Sequence, residues 1–234
     1  MKRIALLLSL SFLIITACSS GSHSQRTKPA NSKEFGMYEV FIVPELMYTL
    51  AIINELPSSD STSNSKSNNV KLQDLMQWGN DDVIGYTLPD KMSAIDSIFN
   101  LEKVRKMLPS DLRFVWSVEP VQTSYGSGEP LYALYAIKVP ENGPRIGNKD
   151  IASATTGYNE NEARVSVSIE MTEDGAYEWE AMTRDNLNRF IAIVLDDKVY
   201  SCPKVISVIS AGKTEISGNF SKAEAEDLAM AIAP

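Results

Sequence analysis

Six apolar residues in succession, FIAIVL at 190–195, constrain this chain more than any other stretch. A run without polar alternation fits a strand covered on both faces. Asp196-Asp197 interrupts it, and Lys198, Val199, Tyr200 and Ser201 resume in β-prone residues, so the pattern predicts a tight hairpin over 190–205. Pro203 has no N–H to donate and should end the ladder there. Helical patterns lie on either side of the hairpin, which implies that the surrounding chain packs around it.

The flanking segments support that picture. Residues 164–171 alternate strictly, with Val165, Val167, Ile169 and Met171 inward and Arg164, Ser166, Ser168 and Glu170 outward, as in a half-buried antiparallel strand. Thr172 is placed to cap a helix whose first acids, Glu173 and Asp174, favour the positive end of its dipole, and whose inward stripe is Ala176, Trp179, Met182 and Thr183. Ser221 with Glu224 forms a capping box for a last helix with Ala225, Leu228, Ala229 and Ile232 as its buried stripe. Upstream, strands are expected at 38–43, 83–88, 112–118 and 131–139, and helices at 45–56 and from residue 90 to Pro109. Short β segments at 205–209 and 214–216 flank the Ala211-Gly212 turn. The expected fold class is α+β, a mostly antiparallel sheet with helices packed on it.

Residues 140–162 carry turn formers throughout and little regular pattern, which in a folded domain points to function or mobility. Arg145, Asn148 and Tyr158 within it, and Tyr200 on the hairpin, are the candidate binding residues. Tyr125, Tyr132 and Tyr135 offer an aromatic platform, although aromatics are also ordinary on sheet surfaces.

Chemistry-bearing constellations are scarce. The chain has one histidine, His23, two cysteines and a formal charge of −8 over 234 residues. That balance opposes nucleic-acid binding, which needs a basic face, and electrostatic attachment to anionic lipid. The acid pairs Glu173-Asp174 and Asp196-Asp197 are accounted for by a helix dipole and a turn, and no third oxygen-rich segment accompanies them. No catalytic residue, metal site or cofactor is expected, and the chain is read as non-enzymatic.

The N-terminus reads as an address. Lys2 and Arg3 precede an apolar segment at 4–15, followed by Thr16, Ala17 and Cys18, the pattern of a secretory signal rather than a spanning helix. Ile15-Thr16-Ala17-Cys18 resembles the lipobox of bacterial lipoproteins, which implies cleavage after residue 17 and a lipid on Cys18. Removal of residues 1–17 takes Lys2 and Arg3 and no acid, deepening the charge from −8 to −10. Ser19 after the cysteine favours the outer membrane by the proteobacterial sorting pattern. An ordinary secretory signal is the alternative. Residues 18–37 then form a polar tether, 38–234 the folded domain, and the low-complexity stretch 57–69 a disordered insert within it. With Cys18 acylated, Cys202 has no intrachain partner and is read as a small apolar side chain packed on a strand.

Taken in order, these segments resemble a known family. The Thr172–Ala176 helix start, Ile191-Ala-Ile-Val-Leu-Asp196, Tyr200-Ser-Cys-Pro203, Ile216-Ser-Gly-Asn-Phe220 and Glu224-Ala-Glu-Asp-Leu-Ala229 match the first periplasmic domain of SecD and fused SecDF, in its head subdomain. MLPSDLRFVWSVEP at 107–120 and LYAIKV at 134–139 resemble the Bacteroidetes form of SecDF. The resemblance implies the head-subdomain fold and a role in handling unfolded polypeptide or Sec and envelope proteins. Proton-driven translocation is not implied, because no membrane-embedded acid or spanning helix follows residue 17. The expectation is therefore a lipoprotein form of this domain, anchored through Cys18 and accessory to export. The alternative is a structural or assembly lipoprotein of the envelope that reuses the fold. Asp197 stands where the family has the Gly of an Asp-Gly turn, and Ala211 where it has the first Gly of Gly-Gly.

Overall fold

The computed structural model describes residues 34–56, 70–121, 128–159, 164–217 and 221–233, all within the unit Lys33–Pro234. The signal segment, Cys18, most of the tether, the insert at 57–69 and Tyr125 lie outside the described residues.

β1 (Phe35–Phe41) leads into α1 (Val43–Glu55), the short α2 (Leu72–Leu75), β2 (Gln77–Trp78), β3 (Val83–Thr87), α3 (Pro89–Phe99) and α4 (Glu102–Arg105). β4 (Leu112–Ser117), β5 (Tyr132–Lys138) and β6 (Ile146–Gly147) follow, then one turn of 3-10 helix at Asn148–Asp150 and β7 (Ile151–Asn159). The last part is β8 (Arg164–Met171), α5 (Glu173–Asp185), the hairpin β9 (Ile191–Leu195) and β10 (Lys198–Ser201), β11 (Lys213–Ser217) and α6 (Lys222–Ile232). β1 begins at Phe35, earlier than the residue-38 start read from the pattern, because Phe35 and Met37 are already buried.

The larger sheet closes on itself. β5 pairs with β4, β4 with β10, β10 with β9, β9 with β1, and β1 returns to β5 through Val40↔Ile137 and Phe41↔Ala136. Only the β10–β4 link is parallel. β3 and β2 continue outward from β5, and β6 from β1. Closure explains why β5 and β9 read as unbroken apolar runs. Side chains of a strand point alternately to its two faces, and here both faces meet protein. Tyr38, Val40, Val115, Ala133, Tyr135, Ile137, Ala192, Val194 and Val199 form one cluster inside the ring. The alternate residues Leu112, Trp116, Leu134 and Ala136 pack outward against α1, α3 and α4 through Leu50, Ile53, Ile95 and Phe99. Phe35, Met37, Ile191, Ile193 and Leu195 pack outward into a third cluster with α5 and α6.

A second sheet, β11-β8-β7, is three-stranded and antiparallel. Its inner face, Val167, Ile169, Met171 and Ile216, meets Trp179, Met182, Leu228 and Ile232 of α5 and α6. Its outer face is small and polar. The antiparallel, helix-covered α+β expectation thus holds, with two sheets where the pattern predicts one. Residues 151–159, read as irregular, are β7: its many hydroxyls and lack of apolar alternation hide an edge strand whose partner β8 supplies the burial.

Two predicted caps form. Thr172 Oγ1 accepts from the Gly175 amide at 3.1 Å. Ser221 Oγ accepts from the Glu224 amide at 3.2 Å, while Glu224 Oε2 accepts from the Ser221 amide at 2.6 Å. The Asp196-Asp197 turn has φ of 49° and 60°, the left-handed pair of a two-residue hairpin turn. Two glycines are fixed by space. A Cβ on Gly175 would lie 2.2 Å from the Asp150 carbonyl oxygen, and one on Gly212, at φ +63°, would lie 2.5 Å from Ala176 Cβ.

Candidate functional site

Residues 140–159 run from the end of β5 through β6 and the 3-10 turn into β7. Arg145 lies just before β6, and its side chain is only 24% exposed. Its Nε donates to Glu178 Oε1 at 3.0 Å, and its Nη1 donates to Asp185 Oδ2 at 3.0 Å and Glu39 Oε1 at 3.3 Å. Burial weighs against the guanidinium charge, but the hydrogen bonds it donates to Asp185, Glu178 and Glu39 outweigh it and hold its pKa above the ordinary value. Arg145 therefore joins the ring, through β1, to α5 at two points along that helix.

Asn148 opens the 3-10 turn. Its Oδ1 accepts from the Phe35 amide at 3.2 Å, and its Nδ2 donates to the Ala231 carbonyl at 2.8 Å. It thus ties the first residue of β1 to the last turn of α6, where the final carbonyls of a helix have no donor within the helix. Asp150, buried, accepts from the Gly147 amide at 2.9 Å, and its carbonyl takes the Thr172 amide at 2.9 Å. Tyr158 lies near the end of β7, opposite Val165 on β8.

Tyr200 is on β10, half-buried against the α6 cluster. Burial first, and then Asp196, Asp227, Glu224 and Glu119, push its phenol pKa up. The structure therefore brings Arg145 and Asn148 into one loop and puts Tyr158 on the edge strand beyond it. Tyr200 sits on a different sheet.

Two clusters that sequence spacing did not reveal occur at the ring. Cys202, after β10, packs on the ring interior. Burial pushes its thiol pKa up, and the Asp82 carboxylate that accepts its hydrogen bond adds to the rise. Burial likewise raises Asp82, partly offset by its hydrogen bonds, and raises the neighbouring Tyr135 phenol. A thiol held protonated is a weak nucleophile, and Cys202 packs, partly buried, against the ring cluster. Asp82 and Cys202 are far apart in sequence, and no local signal links them. Elsewhere, Arg113 Nη1 meets Asp197 Oδ1 at 3.0 Å and its guanidinium lies 5.9 Å from the Tyr38 ring centroid. Among the described residues, no three His, Cys, Asp or Glu side chains converge as metal ligands, and no helix is long and apolar enough to cross a membrane.

The chain is similar in sequence to known proteins. Residues 135–233 match the family model described as SecDF, P1 head subdomain. The protein translocase subunit SecD of Rhodothermus marinus is 29% identical over 182 residues, 78% of this chain and 28% of its own length. SecD of Leptotrichia buccalis is 30% identical over 151 residues, 55% of this chain and 37% of its own. SecDF of Thermus thermophilus is 34% identical over 89 residues, 38% of this chain and 12% of its own. The chain thus spans between about an eighth and two fifths of the length of these relatives. A solved structure described as a membrane component SecDF that enhances protein export aligns over 85% of this chain and 92% of its own, at 19% identity and a TM-score of 0.36. β6 to α6, with the last part of β5, are thus similar in sequence to the SecDF P1 head subdomain, and similarity to a SecD covers 78% of the chain.

Proposed function

We propose that this chain is a non-enzymatic extracytoplasmic module that handles polypeptide or partner proteins at the cell envelope, as an accessory to Sec export. The observation that carries this reading is the match of residues 135–233 to the SecDF P1 head subdomain, whose relatives are translocase subunits. The folded unit, two sheets backed by helices, is compatible with such a module. Domain boundaries follow the same reading, with a signal peptide at 1–17, a tether from residue 18 and an insert at 57–69 within the folded unit. Cys18 carries the lipid and holds the module in the envelope, facing the periplasm or the surface, with the outer membrane favoured by Ser19.

The test is photo-crosslinking of the full chain to an unfolded secretory precursor, compared with the same precursor folded. Crosslinks to the unfolded form alone support the reading. Recovery of one folded envelope protein with no precursor crosslinks overturns it and indicates an assembly role. Incorporation of radiolabelled palmitate, lost in Cys18→Ala, tests the anchor separately.

A further inference from the structure

The two edges of the three-stranded sheet are built differently. β11 has five residues and exposes the charged side chains Lys213 and Glu215, the features that keep an edge from pairing with another chain. β7 has nine residues, IASATTGYN, with no charge and no proline. Its ladder to β8 runs without a shift from Ser153 to Asn159, and no described strand pairs along its other side. Ala152, Thr155 and Thr156 are all exposed. Thr155 and Thr156 point to opposite faces and both reach solvent, so neither face of β7 is covered at these positions. A depression touches β7 on each face, one of them reaching from β7 across β8 to β11. One of about 400 Å³ is lined by Ser153, Thr155, Ser168, Glu170, Lys213 and Glu215; the other, of about 470 Å³, by Thr156, Gly157, Val165 and Lys222.

We propose that β7 is a docking edge, at which an extended, uncharged segment of polypeptide adds as a fourth strand alongside Ser153 to Asn159. Every second residue of an edge strand turns its N–H and C=O outward. The main chain of the incoming segment satisfies those groups, and its side chains alternate between the two faces of the extended sheet. Main-chain recognition of this kind is tolerant of sequence. The inference rests on the polypeptide-handling reading above and gives it a site and a bound conformation.

The experiment uses the full chain and a fluorescent, uncharged nonapeptide of Thr, Ser and Val with a central photoreactive diazirine. Binding is followed by anisotropy while single N-methyl groups are walked along the peptide. Strand addition predicts alternation, with about five- to tenfold loss of affinity at every second position and little change between. Crosslinks mapped by mass spectrometry should fall on residues 151–159. Uniform tolerance of N-methylation, or crosslinks elsewhere, overturns the edge while leaving polypeptide handling in place. Crosslinking of β7 to β7 of a second copy, with no peptide bound, overturns it in favour of self-association. Failure of both the peptide and an unfolded precursor to bind overturns the edge and the broader reading together.

Discussion

The ring and the three-stranded sheet solve the same problem in opposite ways. In the ring, β1, β4, β5, β9 and β10 close through the β1–β5 pair, so these strands have neighbours on both sides and apolar packing on both faces. The three-stranded sheet buries one face and leaves two edges and a polar face to solvent. Closure removes edges altogether, whereas an open sheet has to protect them or use them. β11 is protected by its length and charges, and β7 is not. Stability should therefore concentrate in the ring, and exposed backbone available for recognition in the sheet.

The largest expected effect separates the two directly. Leu134 is fully buried on β5, between the ring and the helices. Leu134→Ala removes that packing and leaves a cavity, at an expected cost of about 2–5 kcal/mol. Thr155→Ala, on the outer face of β7, should stay within about 0.5 kcal/mol of the parent. Urea unfolding of both variants measures the contrast. Equal costs would break the division of labour.

Arg145 comes next, because it connects the regions. Its partners are Glu39 on β1 and Glu178 and Asp185 on α5, the helix that backs the open sheet. Arg145→Met keeps much of the apolar stem but leaves three carboxylates facing one another. Partial exposure of the partners reduces the expected loss to about 1–2 kcal/mol. The loss should shrink in high salt, which screens the uncovered repulsion. Thermal melts in low and high salt check both statements, and an effect insensitive to salt would mean that packing alone is at work.

The ring interior should also show in the pH dependence of stability. Cys202 has its thiol pKa raised in the folded chain, by burial and by Asp82. Between the unfolded pKa, about 8.5, and the higher folded one, the unfolded chain holds fewer protons. Stability is then complete below about pH 8.5 and falls as pH rises, with a slope approaching ~1.4 kcal/mol per pH unit for this one proton. Subtracting the profile of Cys202→Ala from that of the parent isolates this contribution. A difference that stays flat from pH 7 to 10 would place the thiol in water rather than in the ring.

How far these regions could be read beforehand follows the same division. Residues 190–195 were legible as a doubly covered strand because burial on both faces selects apolar side chains at every position. Ring closure was not, because it rests on pairings such as Val40↔Ile137 and the parallel Lys198↔Trp116 link, which join segments remote in sequence. β7 was hidden for the reverse reason: its hydroxyls and Gly157 give no period, and only the register to β8 makes it a strand. Arg145 and Asn148 drew notice as polar groups in an irregular segment. Their partners, on β1, α5 and α6, could be found only in three dimensions.

The smallest expected effect concerns the hairpin turn at the ring. Asp196 and Asp197 both adopt left-handed backbone, which costs an L residue up to about 1–2 kcal/mol, though less for Asp than for most. At Asp197 the side chain meets Arg113 at 3.0 Å, but it is 74% exposed, so that pair is worth little. Asp197→Gly should therefore raise stability slightly, by about 0.5 kcal/mol, as relief of the backbone exceeds the added freedom of the unfolded chain. Asp196 is different. Its Oδ1 accepts from the Glu34 amide at 3.0 Å, at the entry to β1, and its own amide donates to the Glu34 carbonyl at 3.1 Å. Asp196→Gly gains the same relief but loses the acceptor that holds β1 against β9, so it should be neutral or mildly destabilising. Paired denaturation curves decide between them. If both glycine variants gain equally, the side-chain tie at Asp196 does not help close the ring, and the β1 register rests on its ladders to β9, β5 and β6.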